Sequence, residues 1–241
     1  MEQTHTEQRV DLAAAFRWTA RLGMHEAIAN HFSLAVSADG SQFLINPYGR
    51  HFSKMRASDL ILVDANNPST EERDDIDLTA WSIHGAMHRK NPQIRCIMHV
   101  HSKYATVLAS LKDSTMPPID QNTMRFYNRV AVDEGYDGIG IGDEAERLAG
   151  GLGNKHMLIM GNHGLMVVGD SVAFVFDEMY YFERAAETLI TAYSTGRELR
   201  IVSDEVAEKT ARQFKIYSKT ADRHLAALKA ILDEEEPDYR N

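Results

Sequence analysis

The chain has 241 residues, with 26 Lys+Arg against 35 Asp+Glu, 11 His and one Cys. That length fits one domain spanning residues 1–241, with a core over about 8–200 and room to bury it without covalent staples. The lone thiol, Cys96, excludes a disulfide framework or a Cys-rich zinc module, and a net charge of −9 argues against nucleic-acid and anionic-membrane partners, which select positive potential.

A polar N-terminus and the lack of any 18-residue apolar run predict a cytoplasmic protein with no membrane association. Residues 8–30 carry Val10, Leu12, Ala13, Phe16 and Ala20 at helical spacing, which predicts an amphipathic helix interrupted near Gly23. Residues 31–46 alternate around Ala38-Asp39-Gly40 and predict a hairpin. A buried strand is expected at 60–63, a polar loop at 65–75, and a helix at 79–90 with Thr79 as its cap and Asn91-Pro92 as its stop. Then come a strand at 94–100, a helix at 102–111 and a loop-rich stretch over 112–142. A short helix follows at 143–153. Apolar strands at 156–160 and 164–169 flank Gly161-Asn162-His163-Gly164, with Met157, Met160 and Met166 as core filling. Helices are expected at 172–195 and 203–233, and the terminal EEEPDYRN reads as a solvated tail. Helices and adjacent strands alternate irregularly. That pattern suggests a mixed α/β layer fold rather than a strict βαβ wind.

His99-Val100-His101 sits at a predicted strand end. Alternation puts both imidazoles on one face, with Cα atoms about 6–7 Å apart, close enough to converge on one ion. His163 lies in a glycine-flanked turn where backbone can approach a ligand closely. His84 and His88, at i and i+4 on a helix, have no third ligand beside them and read as packing. His31 and His51 are weaker candidates for the pocket, and Tyr180 and Tyr181 read as core or interface.

HVHS followed about sixty residues later by GNHG, with ANHFSLAV, LINPYGRHFSKMRASDLILVD and AWSIHGAMHRKNPQIRCIMHVHSKYATVLAS in the same order, resembles the class II aldolase/adducin family, which includes fuculose-phosphate aldolase and ribulose-phosphate epimerases. The resemblance covers roughly residues 10–200. It implies a three-layer α/β/α fold with a mostly antiparallel central sheet. It also implies a divalent ion (Zn, Mn, Fe or Co) held by His99, His101 and His163. The family's phosphate-loop Asn and Gly have counterparts in Asn30 and Gly49, which are candidate substrate contacts.

The sequence departs from the sugar-phosphate aldolases at one decisive place. Their glutamate ligand and acid/base precedes a tryptophan nineteen residues before the first metal histidine, and here that position is Ala80, followed by Trp81. A methyl group neither ligates a metal nor moves a proton. The paired phosphate-binding serines become Leu78 and Thr79. Both losses predict a small, non-phosphorylated substrate. Decarboxylation needs no base to break its bond, so it tolerates Ala80 better than aldol cleavage does, as in the family's hydroxy-aromatic dicarboxylate decarboxylases. Arg125, in the segment Arg125-Phe126-Tyr127-Asn128-Arg129, is a candidate for an aromatic carboxylate.

The expected function is a metal-dependent carbon–carbon lyase, either decarboxylase or aldolase, on a hydroxy/keto or hydroxy-aromatic acid. An Fe(II) oxygenase and an adducin-like non-enzymatic binding module are the alternatives. Asp77, Glu26 and Tyr48 are possible stand-ins for the lost glutamate. The resemblance further implies a homotetramer with sites at subunit interfaces. The breadth of the apolar surface on the 172–195 helix implies a second covering element there, either the C-terminal helix of the same chain or a neighbouring subunit.

Overall fold

The structure, a computed structural model, describes residues 5–217 and 219–241. Its centre is a seven-stranded sheet of β1 (His31–Ala35), β2 (Gln42–Ile45), β3 (Ile61–Asp64), β4 (Cys96–Val100), β5 (Val130–Asp133), β6 (Met157–Met160) and β7 (Gly164–Gly169). The strand order is β3-β2-β1-β4-β7-β6-β5. Every neighbouring pair is antiparallel except β5 with β6. The expected three layers and mostly antiparallel sheet are both present. β5 is the departure, a strand of four residues within the stretch expected to be loop.

Alternation along β4 sorts the layers. Cys96, Met98 and Val100 point into one core with α1 (Thr6–Arg21), α3 (Lys103–Ala109), α6 (Val172–Ser194) and α8 (Lys219–Glu235). Ile97 packs on the opposite face under α2 (Leu78–Lys90) and α5 (Asp143–Gly151), together with Met160 and Met166. Burial raises the pKa of the Cys96 thiol, so this residue behaves as a small hydrophobe. Among the described residues no helix is long and apolar enough to cross a membrane.

Three local expectations are corrected. Asp77, not Thr79, caps α2: its carboxylate accepts from the backbone N–H of Thr79 and Ala80 at 2.8 and 3.0 Å. The helix expected over 203–233 is two helices, α7 (Asp204–Ile216) and α8. The breadth of apolar surface on α6 is explained within the chain, because Val175, Phe182 and Leu189 share one buried cluster with Leu225 and Leu232 of α8. That breadth therefore carries no argument for a partner subunit.

The terminal segment is docked rather than free, although most of its residues stay exposed. Pro237–Arg240 forms a 3₁₀ turn whose Tyr239 is fully buried and donates its hydroxyl to Asp233 at 2.9 Å. Arg17, itself buried, donates to Glu236 at 2.7 Å and to Asp238 at 2.9 Å, and its Nε reaches the Met55 carbonyl. A buried guanidinium must be paired, and the tail supplies the pairing. Tyr239→Ala is therefore expected to cost about 3 kcal/mol, a fall in Tm of roughly 6–12 °C. A shift under about 2 °C in calorimetry would show that the tail is dispensable.

Candidate metal centre

The first two histidines come from the end of β4, in the middle of the sheet. His99 is the cross-strand partner of His31 on β1 and of Met166 on β7. His101 lies just past the strand end. His163 sits in the β6–β7 turn, which is pressed against the backbone on both sides. A Cβ at Gly161 would stand 2.8 Å from the Asp133 carbonyl oxygen, and one at Gly164 would stand 2.6 Å from that of Val100. Only glycine allows those approaches, which bring His163 over the β4 end. The ligand nitrogens of His99, His101 and His163 lie within 4.8 Å of one another.

Hydrogen bonds fix which nitrogens face inward. Nδ1 of His99 is 3.0 Å from the Leu165 carbonyl, which only accepts, so Nδ1 carries the proton. Nδ1 of His101 is 2.7 Å from a carboxylate oxygen of Glu26, with the same consequence. Each neutral ring is left with a lone pair on Nε2, and these two Nε2 atoms are 3.0 Å apart. Two facing lone pairs at that distance repel unless a cation lies between or beside them. Burial pushes the pKa of His99 well below the ordinary histidine value. Burial, then the neighbouring His101, lowers that of His163 to about 4. Neither His99 nor His163 takes up a proton readily, and the donor set of three imidazoles fits a divalent ion.

Behind His99 runs a buried hydrogen-bonded chain. The rings of His31 and His99 have centroids 4.8 Å apart. Nδ1 of His31 is 2.7 Å from Nε2 of His84. His84 Nδ1 meets the Ser33 hydroxyl at 2.5 Å, and that hydroxyl meets Nε2 of His88 at 2.9 Å. The sequence does hold the signal for this chain. His31 and Ser33 share a strand face, and His84 and His88 share a helix face. Taking the helical pair as plain packing missed the connection. Burial is the first cause of the lowered pKa of all three rings, to about 3 for His88.

Asn30 is buried next to His31. Its Oδ1 accepts from the Glu26 backbone N–H at 2.7 Å, while its Nδ2 is buried without a partner. An orphaned donor of this kind is a place for a ligand oxygen. Gly49 occupies an exposed turn at φ +79°, with nothing within 4 Å of where a Cβ would stand. His51, two residues on, places Nε2 3.1 Å from Nε2 of His25.

Arg125, the last residue of α4 (Gln121–Arg125), is a correction. It is brought not to the histidines but to α6, where its guanidinium pairs with Asp177 and, at 2.8 Å, with Glu178. It also stacks 4.4 Å over the Tyr181 ring. The two carboxylates neutralise it, so it offers no free charge to a substrate carboxylate. It lines a separate cavity of about 440 Å³ with Arg129, His156 and Phe214. Of the three stand-ins for the lost glutamate, Asp77 is spent on its cap, Tyr48 is exposed on the surface, and only Glu26 touches a triad histidine. Ala80 is buried against Phe43, Ile45 and Trp81.

The sequence profile of the Class II Aldolase and Adducin N-terminal domain matches residues 10–190. A crystal structure of an aldolase II superfamily protein from Pseudomonas syringae superposes with a TM-score of 0.88 at 32% identity, covering 100% of this chain and 98% of that one. A protein named decarboxylase NovR from Streptomyces niveus is 27% identical over 87% of this chain and 80% of its own length. A 4-hydroxy-3-prenylphenylpyruvate oxygenase/4-hydroxy-3-prenylbenzoate synthase from Streptomyces roseochromogenus is 28% identical over 70% of this chain and 63% of its own length.

Proposed function

Since this chain belongs to the class II aldolase/adducin family, which includes metal-dependent lyases, we propose that it is a decarboxylase of a small, non-phosphorylated hydroxy-aromatic or hydroxy-keto acid. The observation that carries the reading is the pair of converging Nε2 lone pairs on His99 and His101, with His163 beside them and no carboxylate at position 80. His99, His101 and His163 hold the ion. When bound, it supplies a Lewis acid for a chelating oxygen pair and a sink for the electrons left as CO2 departs. Three protein ligands leave coordination positions for substrate.

The chain's own residues orient the acid. The free Nδ2 of Asn30 donates to a substrate oxygen, and Gly49, in the exposed turn two residues before His51, is the second candidate contact. With Ala80 in place of a glutamate, no side chain there removes a proton from substrate. A reaction whose bond breaks without a base, the carbanion left by CO2 then taking its proton from water, is therefore favoured over aldol cleavage. An oxygenase is the second reading, favoured by the Streptomyces roseochromogenus relative. Assembly as a homotetramer belongs to the same proposal.

The test is a screen of metal-loaded protein against hydroxy-aromatic and hydroxy-keto acids, with CO2 and O2 followed together and the assembly mass taken by light scattering. The expected result is CO2 release with no O2 uptake, from particles about four times the 27.1 kDa chain mass. Stoichiometric O2 consumption favours the oxygenase. Aldehyde release without CO2 favours an aldolase. A monomer at full activity removes the assembly.

A further inference from the structure

The segment between α1 and β1 is pinned at three points. The backbone N–H of Glu26 donates to Oδ1 of Asn30, and the Glu26 carboxylate accepts from Nδ1 of His101 at 2.7 Å. His25 meets His51 at 3.1 Å and stacks on Phe52, with ring centroids 5.7 Å apart. Nδ1 of His51 accepts from the Ser53 backbone N–H. In the neutral ring Nε2 therefore carries the proton, and His51 donates to His25.

These pins hold an unfavourable backbone. Ala27 stands at φ +46°, a left-handed conformation that a non-glycine residue adopts only at a cost. The Glu26 side chain is 65% exposed against 17% for His101, and a solvent-screened carboxylate–imidazole contact contributes little by itself. A cation on Nε2 withdraws electrons from the ring and makes Nδ1–H a stronger donor, which strengthens that contact. By reciprocity, whatever holds Glu26 in place strengthens the grip on the cation.

We infer that Glu26 is a positioning residue of the metal centre. It holds His101 in the tautomer whose lone pair faces the ion, and the His51–His25 contact holds the loop that presents it. The same loop carries Asn30, bonded to the Glu26 backbone, so the loop that presents Glu26 also places the free amide donor. The inference rests on the triad being a metal site, and the test separates the two.

Zinc affinity is measured by competition with a chromophoric chelator for the native chain, Glu26→Ala, Glu26→Gln, His51→Asn and the double variant Glu26→Ala/His51→Asn. Asparagine at 51 keeps the cap on Ser53 and loses the contact with His25. Glu26→Ala is expected to weaken zinc binding about 10–100-fold. Glu26→Gln, which still accepts from Nδ1, should weaken it less. His51→Asn should cost a few-fold in the native background and nothing once Glu26 is alanine. Hydrogen exchange over residues 24–30 should slow on adding zinc to the native chain but not to Glu26→Ala. Native zinc uptake with Glu26→Ala within twofold of native affinity overturns the inference and leaves the metal site standing. No zinc uptake by the native chain overturns both.

Discussion

His163→Ala is expected to lower turnover by about three orders of magnitude or more while leaving the fold intact. The ion contributes several kcal/mol of charge stabilisation to the reacting centre, and each 1.36 kcal/mol is tenfold in rate. Two imidazoles at the β4 end do not replace three converging ones. His163 is the informative choice because it sits partly exposed in a turn, whereas His99 is fully buried and its removal leaves a core cavity. Steady-state kinetics on the acid identified by the screen, beside circular dichroism of the variant, is the measurement. Turnover within about tenfold of native would mean that the triad does not carry the reaction.

The second large effect is on acid stability. His31, His84, His88 and His99 are all buried, and burial lowers the pKa of each. In the unfolded chain the same rings take up protons near pH 6.5. A base whose folded pKa is depressed is protonated more readily in the unfolded state. Stability is therefore full above about pH 6.5 and falls as pH drops towards the folded value, which is about 3 for His88. The slope is about 1.4 kcal/mol per pH unit for each such ring. By pH 5 a single ring costs about 2 kcal/mol, and four rings approach the roughly 5–15 kcal/mol that holds a domain together. The fall from pH 8 to 5 lies above the range where paired carboxylates titrate, so it reports the histidines. Denaturant titrations of metal-free protein at pH 8, 6.5 and 5 are expected to show a steep loss between the last two. His88→Asn should flatten that loss by about one proton. Equal stability at pH 8 and 5 would contradict the neutral buried chain.

The histidine cluster was legible because its geometry is local. A two-residue period puts His99 and His101 on one side, and a glycine-bounded turn marks His163. Resemblance then joined the two motifs across about sixty residues. Arg125 was misplaced for the opposite reason. Its residue type suits a carboxylate, but the carboxylates it meets belong to α6, more than fifty residues on, and sequence does not reveal that pairing. The same holds for the tail. EEEPDYRN reads as solvent-exposed until Arg17, over two hundred residues earlier, is found buried and in need of counter-charge. β5 escaped because four residues of modest alternation among glycines and acids leave little period to read. The break between α7 and α8 escaped because both helices keep helical composition up to it.

Glu26 stands between these cases. Its position five residues before His31 gave no reason to prefer it over Asp77 or Tyr48. Its 2.7 Å contact with His101 sets it apart, while the Asp77 carboxylate is taken up by its capping bonds.

The most direct measurement of the central claim is X-ray absorption of the stripped protein reloaded with zinc, alongside its metal content. The account predicts about one ion per chain and a first shell of three imidazole nitrogens at about 2.0–2.1 Å, completed by oxygen, with that shell lost in His163→Ala. Less than about a tenth of an equivalent bound, or a shell without histidine scattering, would contradict it.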